Sequence, residues 1–144
     1  MIYISATPDG LELKNNVLLY LDELDVAYED LTKKDANTIS ATQNVVKKVL
    51  EDNAFGIVVD GTGNGPFMVA GKYKGIICAQ LNDEQSALMT RDHNNTNIIT
   101  LGQDIIGNDV MRGIVNRFVT HDYAGGRHQI RVDMLDSMLE EPNL

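Results

Sequence analysis

Two arginines near the C-terminus have the type and spacing expected of an anion-binding site. Arg127 and Arg131 are four residues apart in a predicted helix that begins after Gly125-Gly126, so their side chains point the same way. Guanidinium groups bind phosphate through paired hydrogen bonds, which is the usual reason for arginine instead of lysine. The chain carries a formal net charge of −9, so this pair of cations is opposite in sign to the charge of the protein as a whole. Surface pairing with Asp133 or another acid is the alternative, and the residues alone leave both interpretations open.

A cluster of glycines follows an apolar run at 57–59 that predicts a buried parallel strand. The cluster consists of Gly61, Thr62, Gly63, Asn64 and Gly65, directly after Asp60. Backbone N–H groups in such a loop can crowd against an oxyanion or phosphate, and the carboxyl end of a strand is where open α/β sheets place ligands. The alternative is a tight turn whose glycines only relieve steric crowding, because the motif by itself is weak.

A third candidate is His93, which lies with Asn94 in a polar segment at 91–95. We interpret this segment as a loop at the amino end of the fifth strand, where a histidine is usually just solvated. The three histidines and one cysteine show no spacing typical of a metal site. No lysine–serine pair follows the glycines, so a nucleotide site is disfavoured.

The composition is that of a globular protein, with 43% apolar and 23% charged residues, and predicts one domain over residues 1–144. The net charge of −9 argues against nucleic acid or an anionic membrane as a partner. One cysteine excludes an internal disulfide and favours a reducing compartment. The first residues lack the basic leader and long apolar run of a signal peptide, so we expect a cytoplasmic location.

Strands and helices alternate five times along the chain, which predicts a parallel sheet covered on both faces. We expect strands at 2–6, 26–30, 57–59, 76–80 and 97–101. Thr7-Pro8-Asp9 is typical of a helix start. The third helix is expected to end near 74–75. Apolar spacing places Ile39 on the inward face of the second helix, together with Val45, Val46, Val49 and Leu50. It places four residues of the last helix, at 127–140, inward as well: Ile130, Met134, Leu135 and Met138.

Three motifs occur in an informative order and at informative separations: 61–65, 91–97 and 125–131. Together they resemble the family of type B ribose-5-phosphate isomerases and galactose-6-phosphate isomerases. The likeness covers essentially the whole chain. Within the family, the segments 67–70, 87–91 and 127–135 look most like the A-type subunits of the galactose-6-phosphate branch.

This resemblance implies a three-layer α/β/α sandwich with a five-stranded parallel, Rossmann-like sheet. It implies a C-terminal helix used in subunit association and active sites shared between two subunits. The implied reaction is aldose–ketose isomerisation of a phosphorylated sugar through an enediolate, with no cofactor and no metal. Galactose 6-phosphate and tagatose 6-phosphate are the implied substrate and product.

The resemblance also implies roles, residue by residue. His93 and Asn94 match residues that assist ring opening and sugar binding, and Arg127 and Arg131 match residues that hold the phosphate. Thr62 matches a contact to the sugar oxygens. The amides of the loop that contains Gly61, Gly63 and Gly65 match those that hold the oxyanion.

Three departures from the family pattern concern proton abstraction. Asp60 stands at the position of the catalytic cysteine, Pro66 at that of an alternative glutamate, and Thr7-Pro8 at that of an Asp–His pair. A related B-type subunit supplies the cysteine in one interpretation, which makes the protein a hetero-oligomer. Asp60 is itself the base of a stand-alone, self-associating enzyme in the second. The chain is a non-catalytic sugar-phosphate-binding subunit in a third, and Asp60 can equally order the loop by accepting its amides.

Overall fold

The computed structural model describes residues 1–140, in which five strands form one parallel sheet. The strands are β1 (Ile2–Ala6), β2 (Tyr28–Asp30), β3 (Phe55–Asp60), β4 (Cys78–Gln80) and β5 (Ile98–Gly102). Their order across the sheet is β2-β1-β3-β5-β4, and every neighbouring pair is parallel. The central strand β3 therefore lies between β1 and β5, where both of its faces are covered.

Residues 1–140 form six α-helices, of which four connect successive strands and two follow β5. They are α1 (Leu11–Glu23), α2 (Thr38–Asp52), α3 (Asn64–Ala70), α4 (Glu84–Asn94), α5 (Asn108–Thr120) and α6 (His128–Ser137). Successive residues of each strand point to opposite faces of the sheet, so the apolar core consists of two clusters. One apolar cluster joins the sheet to α1, α4 and α5, and the other joins it to α2 and α3. This arrangement is the three-layer α/β/α sandwich that the resemblance implies. Among the helices of residues 1–140, none is long and apolar enough to cross a membrane.

The structure differs from the sequence predictions mostly at the ends of elements. A 3-10 turn at Pro8–Gly10 precedes α1, and Thr7 makes no side-chain capping bond. The third helix ends at Ala70 instead of near residue 75, because Gly71 and the following turn interrupt it. Ile39 is exposed, so its predicted inward position is wrong. It lies in the first turn of α2, ahead of Ala41 and Thr42, the first buried residues of that helix.

The last helix contradicts its predicted packing most clearly. Ile130, Met134, Leu135 and Met138 were expected to be buried, yet between 48% and 79% of each side chain is exposed. Within one chain, α6 contacts α4 and the segment before β4, and its apolar side chains face away from the core. The helical periodicity in the sequence is real, but the core within residues 1–140 does not bury these side chains.

The close approach of α2 to the sheet gives a first testable prediction. A Cβ atom added to Gly56 in β3 would lie 2.4 Å from Val45 Cγ1 and 3.0 Å from Val49 Cγ2. We expect Gly56→Ala to lower the free energy of unfolding by about 1–3 kcal/mol through overpacking, measured by urea denaturation. Gly71→Ala is the matched control, because Gly71 has a φ of −65° and its nearest contact for a Cβ is 3.4 Å. Equal stabilities for the two variants would contradict this packing argument.

Candidate functional site

The glycine loop lies at the carboxyl edge of the sheet, where β3 ends and α3 begins. Asp60, the last residue of β3, accepts two hydrogen bonds on Oδ1, from Thr62 N at 3.1 Å and from Gly63 N at 2.5 Å. Thr62 Oγ1 accepts a third bond, from Asn64 N at 3.2 Å. Gly63 has a φ of +80°, which favours glycine at this turn. Three successive loop amides therefore already donate hydrogen bonds to side-chain oxygens of the same chain.

The loop also contacts its neighbouring strands through its carbonyl groups. Gln80 Nε2 donates to Thr62 O at 2.9 Å, and Thr100 Oγ1 donates to Gly63 O at 2.8 Å. Gly102 can lie against Thr62 only because it has no side chain, since a Cβ there would be 2.6 Å from Thr62 O. These contacts fix the loop against β4 and β5.

A cationic cleft of about 550 Å³ lies at the opposite edge of the molecule. It is lined by His93, Arg127, His128, Ile130 and Arg131. The structure thus places the predicted residues His93, Arg127 and Arg131 around one cavity. Asn94 follows His93 at the end of α4, where its Oδ1 accepts a bond from Thr90 Oγ1 at 3.0 Å. Two guanidinium groups and two imidazoles in one cleft can bind a phosphate dianion.

His128 organises this cleft, although the sequence pattern did not mark it as a site residue. Its ring stacks on that of His93, with 4.4 Å between the centroids and 16° between the planes. His128 Nδ1 lies 3.1 Å from a terminal nitrogen of Arg131, which as a guanidinium donates to the unprotonated ring nitrogen. Its position next to Arg127 and three residues before Arg131 is the sequence signal that could have identified it.

Burial and nearby cations both disfavour a charge on His128. Burial of the ring lowers the pKa of His128 below its ordinary value of 6.5, and His93, Arg127 and Arg131 lower it further. Asp92 opposes this shift, and its Oδ2 also lies 3.5 Å from His93 Nε2. His128 is therefore a neutral hydrogen-bond acceptor that orients Arg131, and the cationic charge of the cleft comes from the arginines.

The end of α4 sets the position of His93. The polar residues at 91–95 predict a loop, but this prediction is wrong: α4 continues to Asn94 and is capped by Asn95, which has a φ of 54°. Polar side chains suggested a loop because only one residue of this last turn, Arg91, is buried. The Arg91 guanidinium donates to Thr96 O and Asn95 Oδ1 and lies over the Phe55 ring at 4.7 Å. The buried arginine thereby anchors the turn that carries His93.

Helix α6 is anchored to the same edge at both of its ends. Ala124 N donates to Asp92 O at 3.0 Å, which ties the segment before α6 to α4. At the other end, Gly75 N donates to Asp136 Oδ1 at 2.7 Å, and Lys74 Nζ lies 3.5 Å from Asp136 Oδ2. Gly75 lies before β4, so both contacts place α6 along the amino edge of the sheet. Arg127 and Arg131 are held there as well.

The two groups of predicted residues therefore lie at opposite edges of one sheet. Gly56 pairs with Ile98 near the amino edge and Asp60 pairs with Gly102 near the carboxyl edge. A strand rises by about 3.3 Å per residue, so these two levels are roughly 13 Å apart. His93 lies beyond the amino end of β5, which adds to the separation. One chain does not bring the glycine loop and the arginines around the same small molecule.

A resident metal site is not part of this arrangement within residues 1–140. In that part of the chain, no group of three or more His, Cys, Asp or Glu side chains is arranged to hold a metal ion. Cys78, at the start of β4, has its thiol pKa raised to about 12 by burial, so it does not act as a thiolate near neutral pH.

Comparison with known proteins gives the class and the family. The chain is 49% identical over 139 residues to galactose-6-phosphate isomerase subunit LacA of Streptococcus agalactiae, and 44% identical to that of Staphylococcus epidermidis. Both alignments cover 95% of this chain and 98% of the relative.

Solved structures of similar proteins have the same fold. Ribose 5-phosphate isomerase of Thermotoga maritima has a TM-score of 0.88 and 32% identity, over 94% of this chain and 97% of that one. Ribose-5-phosphate isomerase B of Mycoplasma genitalium, solved with bound ribulose-5-phosphate, has a TM-score of 0.88 and 29% identity, over 95% and 94% of the two chains.

The fold and these relatives define the protein as an enzyme of the aldose–ketose isomerase class. The chain belongs to the Ribose/Galactose Isomerase family, whose model matches residues 2–135. The resemblance recognised from the three motifs is thereby confirmed.

The lowered pKa of His128 predicts how stability depends on pH. Unfolding releases the ring from the cleft, so the unfolded chain binds a proton more readily than the folded chain. The stability from the neutral ring is present above about pH 6.5 and is lost as the pH falls below that value. We expect His128→Gln to lose less stability than the wild type between pH 7.5 and 5.5 in urea denaturation.

His121→Gln is the control for this pH experiment, because it removes a histidine that contacts Thr120 outside the cleft. It should retain the pH dependence of the wild type. A wild-type slope in the His128→Gln variant would show that burial and the neighbouring arginines do not disfavour its charge.

Proposed function

We propose that this chain is one subunit of a galactose-6-phosphate isomerase whose active sites are each built from two chains. The enzyme interconverts galactose 6-phosphate and tagatose 6-phosphate. The observation that carries the proposal is the separation of His93, Arg127 and Arg131 from the glycine loop by the length of the sheet. A site that needs both groups requires a second chain. The names of the relatives support the hexose phosphate as substrate.

The residues of this chain bind and orient the sugar in this proposal. Arg127 and Arg131 bind the phosphate, His128 orients Arg131, and His93 assists ring opening with Asn94 beside it. The chemical step moves a proton from C2 of the aldose to C1 and a second proton from O2 to O1 through an enediolate, with no net redox change. Loop amides of the other chain stabilise the oxyanion, a contribution of about 2.7–4 kcal/mol for each donor.

The base belongs to the other chain in this proposal. That chain is a related B-type subunit with a cysteine where Asp60 stands here. A thiolate with a pKa of about 8.5 is a far stronger base than a carboxylate with a pKa of about 3.9. The Asp60 carboxylate is moreover committed to the amides of Thr62 and Gly63. A cytoplasmic location is part of the proposal, since the only cysteine of the sequence, Cys78, is a free thiol.

The surface of the chain offers a way for two subunits to meet. An apolar groove of about 440 Å³ lies between α2 and α3, with Ile39, Met68 and Val69 among its lining residues and Gly65 in its wall. The exposed apolar face of α6 is a matching partner for such a groove. If α6 of one subunit lies in the groove of the other, Arg127 and Arg131 approach the glycine loop through Gly65. The same docking would thus bury the apolar face of the C-terminal helix and complete a site between the two subunits.

Two alternatives remain from the sequence analysis. A stand-alone isomerase would use Asp60 as its base and Thr62 with the loop glycines as its own sugar contacts, in a self-associated dimer or tetramer. It would have to release two loop amides from Asp60 in each turnover. A non-catalytic sugar-phosphate-binding subunit would bind ligand through Arg127 and Arg131 without turnover in any mixture.

Subunit mixing tests the proposed function directly. We expect little isomerase activity from the purified chain, little from a cysteine-bearing B-type subunit, and strong activity from their mixture with galactose 6-phosphate. Strong activity of this chain by itself, abolished by Asp60→Asn, would establish the stand-alone alternative. Phosphosugar binding without turnover in every mixture would establish the non-catalytic alternative.

The arginine pair gives a quantitative prediction in the same assay. Loss of one charge-assisted hydrogen-bonding partner costs about 1.5–3 kcal/mol, so we expect Arg131→Ala to raise KM for galactose 6-phosphate by roughly 10- to 150-fold in the mixture. Arg112→Ala is the control, because Arg112 of α5 pairs with Glu23 of α1 at 2.8 Å and does not line the cleft. An unchanged KM for Arg131→Ala would contradict the proposal that the phosphate binds in this cleft.

The two apolar surfaces give a prediction about assembly. We expect Met134→Glu in α6 and Met68→Glu in the groove each to weaken association of the subunits by at least ~10-fold, because each puts a charge into a buried apolar contact. Sedimentation velocity at graded concentrations measures this. Leu19→Glu is the control, since Leu19 is 63% exposed on α1, on the other side of the sheet. Assembly that survives both variants would exclude this interface.

A further inference from the structure

We propose that the glycine loop of this chain is a silent half-site. Asp60 acts as a resident anion that fills the place of the substrate oxyanion. The inference rests on the proposed function, because two chains of similar fold create two clefts for each pair. One cleft combines the arginines of this chain with the loop of the partner. The other combines the loop of this chain with the arginine-bearing edge of the partner. This second cleft is the one that we infer to be inert.

The first observation is the state of the loop amides. Thr62 N and Gly63 N both point at Asp60 Oδ1, and Asn64 N points at Thr62 Oγ1. Successive backbone amides that converge on one oxygen form the kind of concavity that binds anions. Here that concavity already holds a carboxylate of the chain itself. A substrate oxyanion could use the same donors only by displacing Asp60.

The second observation is the rigidity of the loop around this contact. Carbonyl groups on both sides of the amides are bonded to other elements: Asp60 O to Gln103 N at 2.8 Å, and Gly61 O to Asp104 N at 2.9 Å. Thr62 O and Gly63 O accept from Gln80 and Thr100 in the adjacent strands. The loop cannot turn its amides toward another acceptor without breaking several of these bonds.

The third observation is the charge around the loop. Asp104 Oδ2 lies 3.1 Å from the place where a Cβ of Gly61 would be, and Asp9 Cβ lies 3.8 Å from the same point. The Asp104 carboxylate and the Asp9 side chain therefore lie beside Gly61, which directly follows Asp60. None of the three aspartates forms a salt bridge with another residue of the 1–140 segment. An enediolate at this loop is disfavoured by like-charge repulsion from the Asp60 and Asp104 carboxylates.

These observations give the two edges of the chain different roles. The amino edge is cationic and supplies a phosphate-binding surface to the working site. The carboxyl edge is anionic and internally satisfied, so its loop is a structural element. The assembled enzyme then contains one working site for each pair of subunits, although the fold provides two clefts.

Ligand stoichiometry tests this inference on the assembled enzyme. The probe is 6-phosphogalactonate, whose carboxylate mimics the enediolate and which does not turn over. Calorimetric titration should give one molecule bound per pair of subunits. In the same complex with this chain labelled with ¹⁵N, the amide signals of Thr62 and Gly63 should not shift at saturation. Two molecules per pair, or shifts of these two amides like those of direct contacts, would overturn the inference.

A variant of the resident anion provides a second, independent test with formate as the probe. In Asp60→Ala the two amides lose their acceptor, so added formate should shift the Thr62 and Gly63 signals in a saturable way. The same titration should leave these signals unchanged in the wild type and in Asp109→Ala, which removes an acid from the first turn of α5. Absence of a formate response in folded Asp60→Ala would also overturn the inference.

The outcomes separate this inference from the proposed function. Turnover in the mixture together with two ligands per pair would preserve the shared-site isomerase and end the silent half-site. Absence of turnover in every mixture would end the proposed function by itself. If Asp60→Ala does not fold, the wild-type stoichiometry and amide shifts decide the matter without the variant.

Discussion

The polarity of the parallel sheet is the constraint on which the rest of the structure depends. All five strands run in one direction, so every loop that follows a strand lies at one edge and every helix end that precedes a strand lies at the other. The glycine loop follows β3, whereas His93 precedes β5 and α6 is tied to the segment before β4. No adjustment of side chains closes a gap of roughly 13 Å along a hydrogen-bonded strand. The separation of the two groups is therefore a property of the topology.

Charge follows the same division of the molecule. A chain with a net charge of −9 places two arginines together at the amino edge and gathers Asp9, Asp60 and Asp104 around Gly61 at the carboxyl edge. Neutral His128 contributes to the cationic edge by accepting from Arg131 and by stacking on His93. This charge distribution attracts a small anion to one edge and repels it from the other.

Local sequence patterns predicted the elements well and their partners poorly. The alternation of β-branched runs with helical periodicity identifies the strands, because burial on both faces leaves few alternatives for 57–59 or 97–101. The glycine spacing located the loop, yet it did not show that Asp60 occupies the loop amides, which depends on side-chain direction. His93 was assigned to a loop because polar residues fill the last turn of α4. The inward face predicted for α6 was wrong because periodicity reports an apolar face without identifying the surface against which it packs.

The most direct test of the proposed shared site is the structure of the chain assembled with a B-type subunit, with a phosphorylated sugar acid bound. The account predicts the phosphate within hydrogen-bonding distance of Arg127 and Arg131 of this chain, with the carboxylate end against loop amides of the other chain. A ligand whose two ends are both held by this chain, or whose phosphate lies away from these arginines, would contradict it.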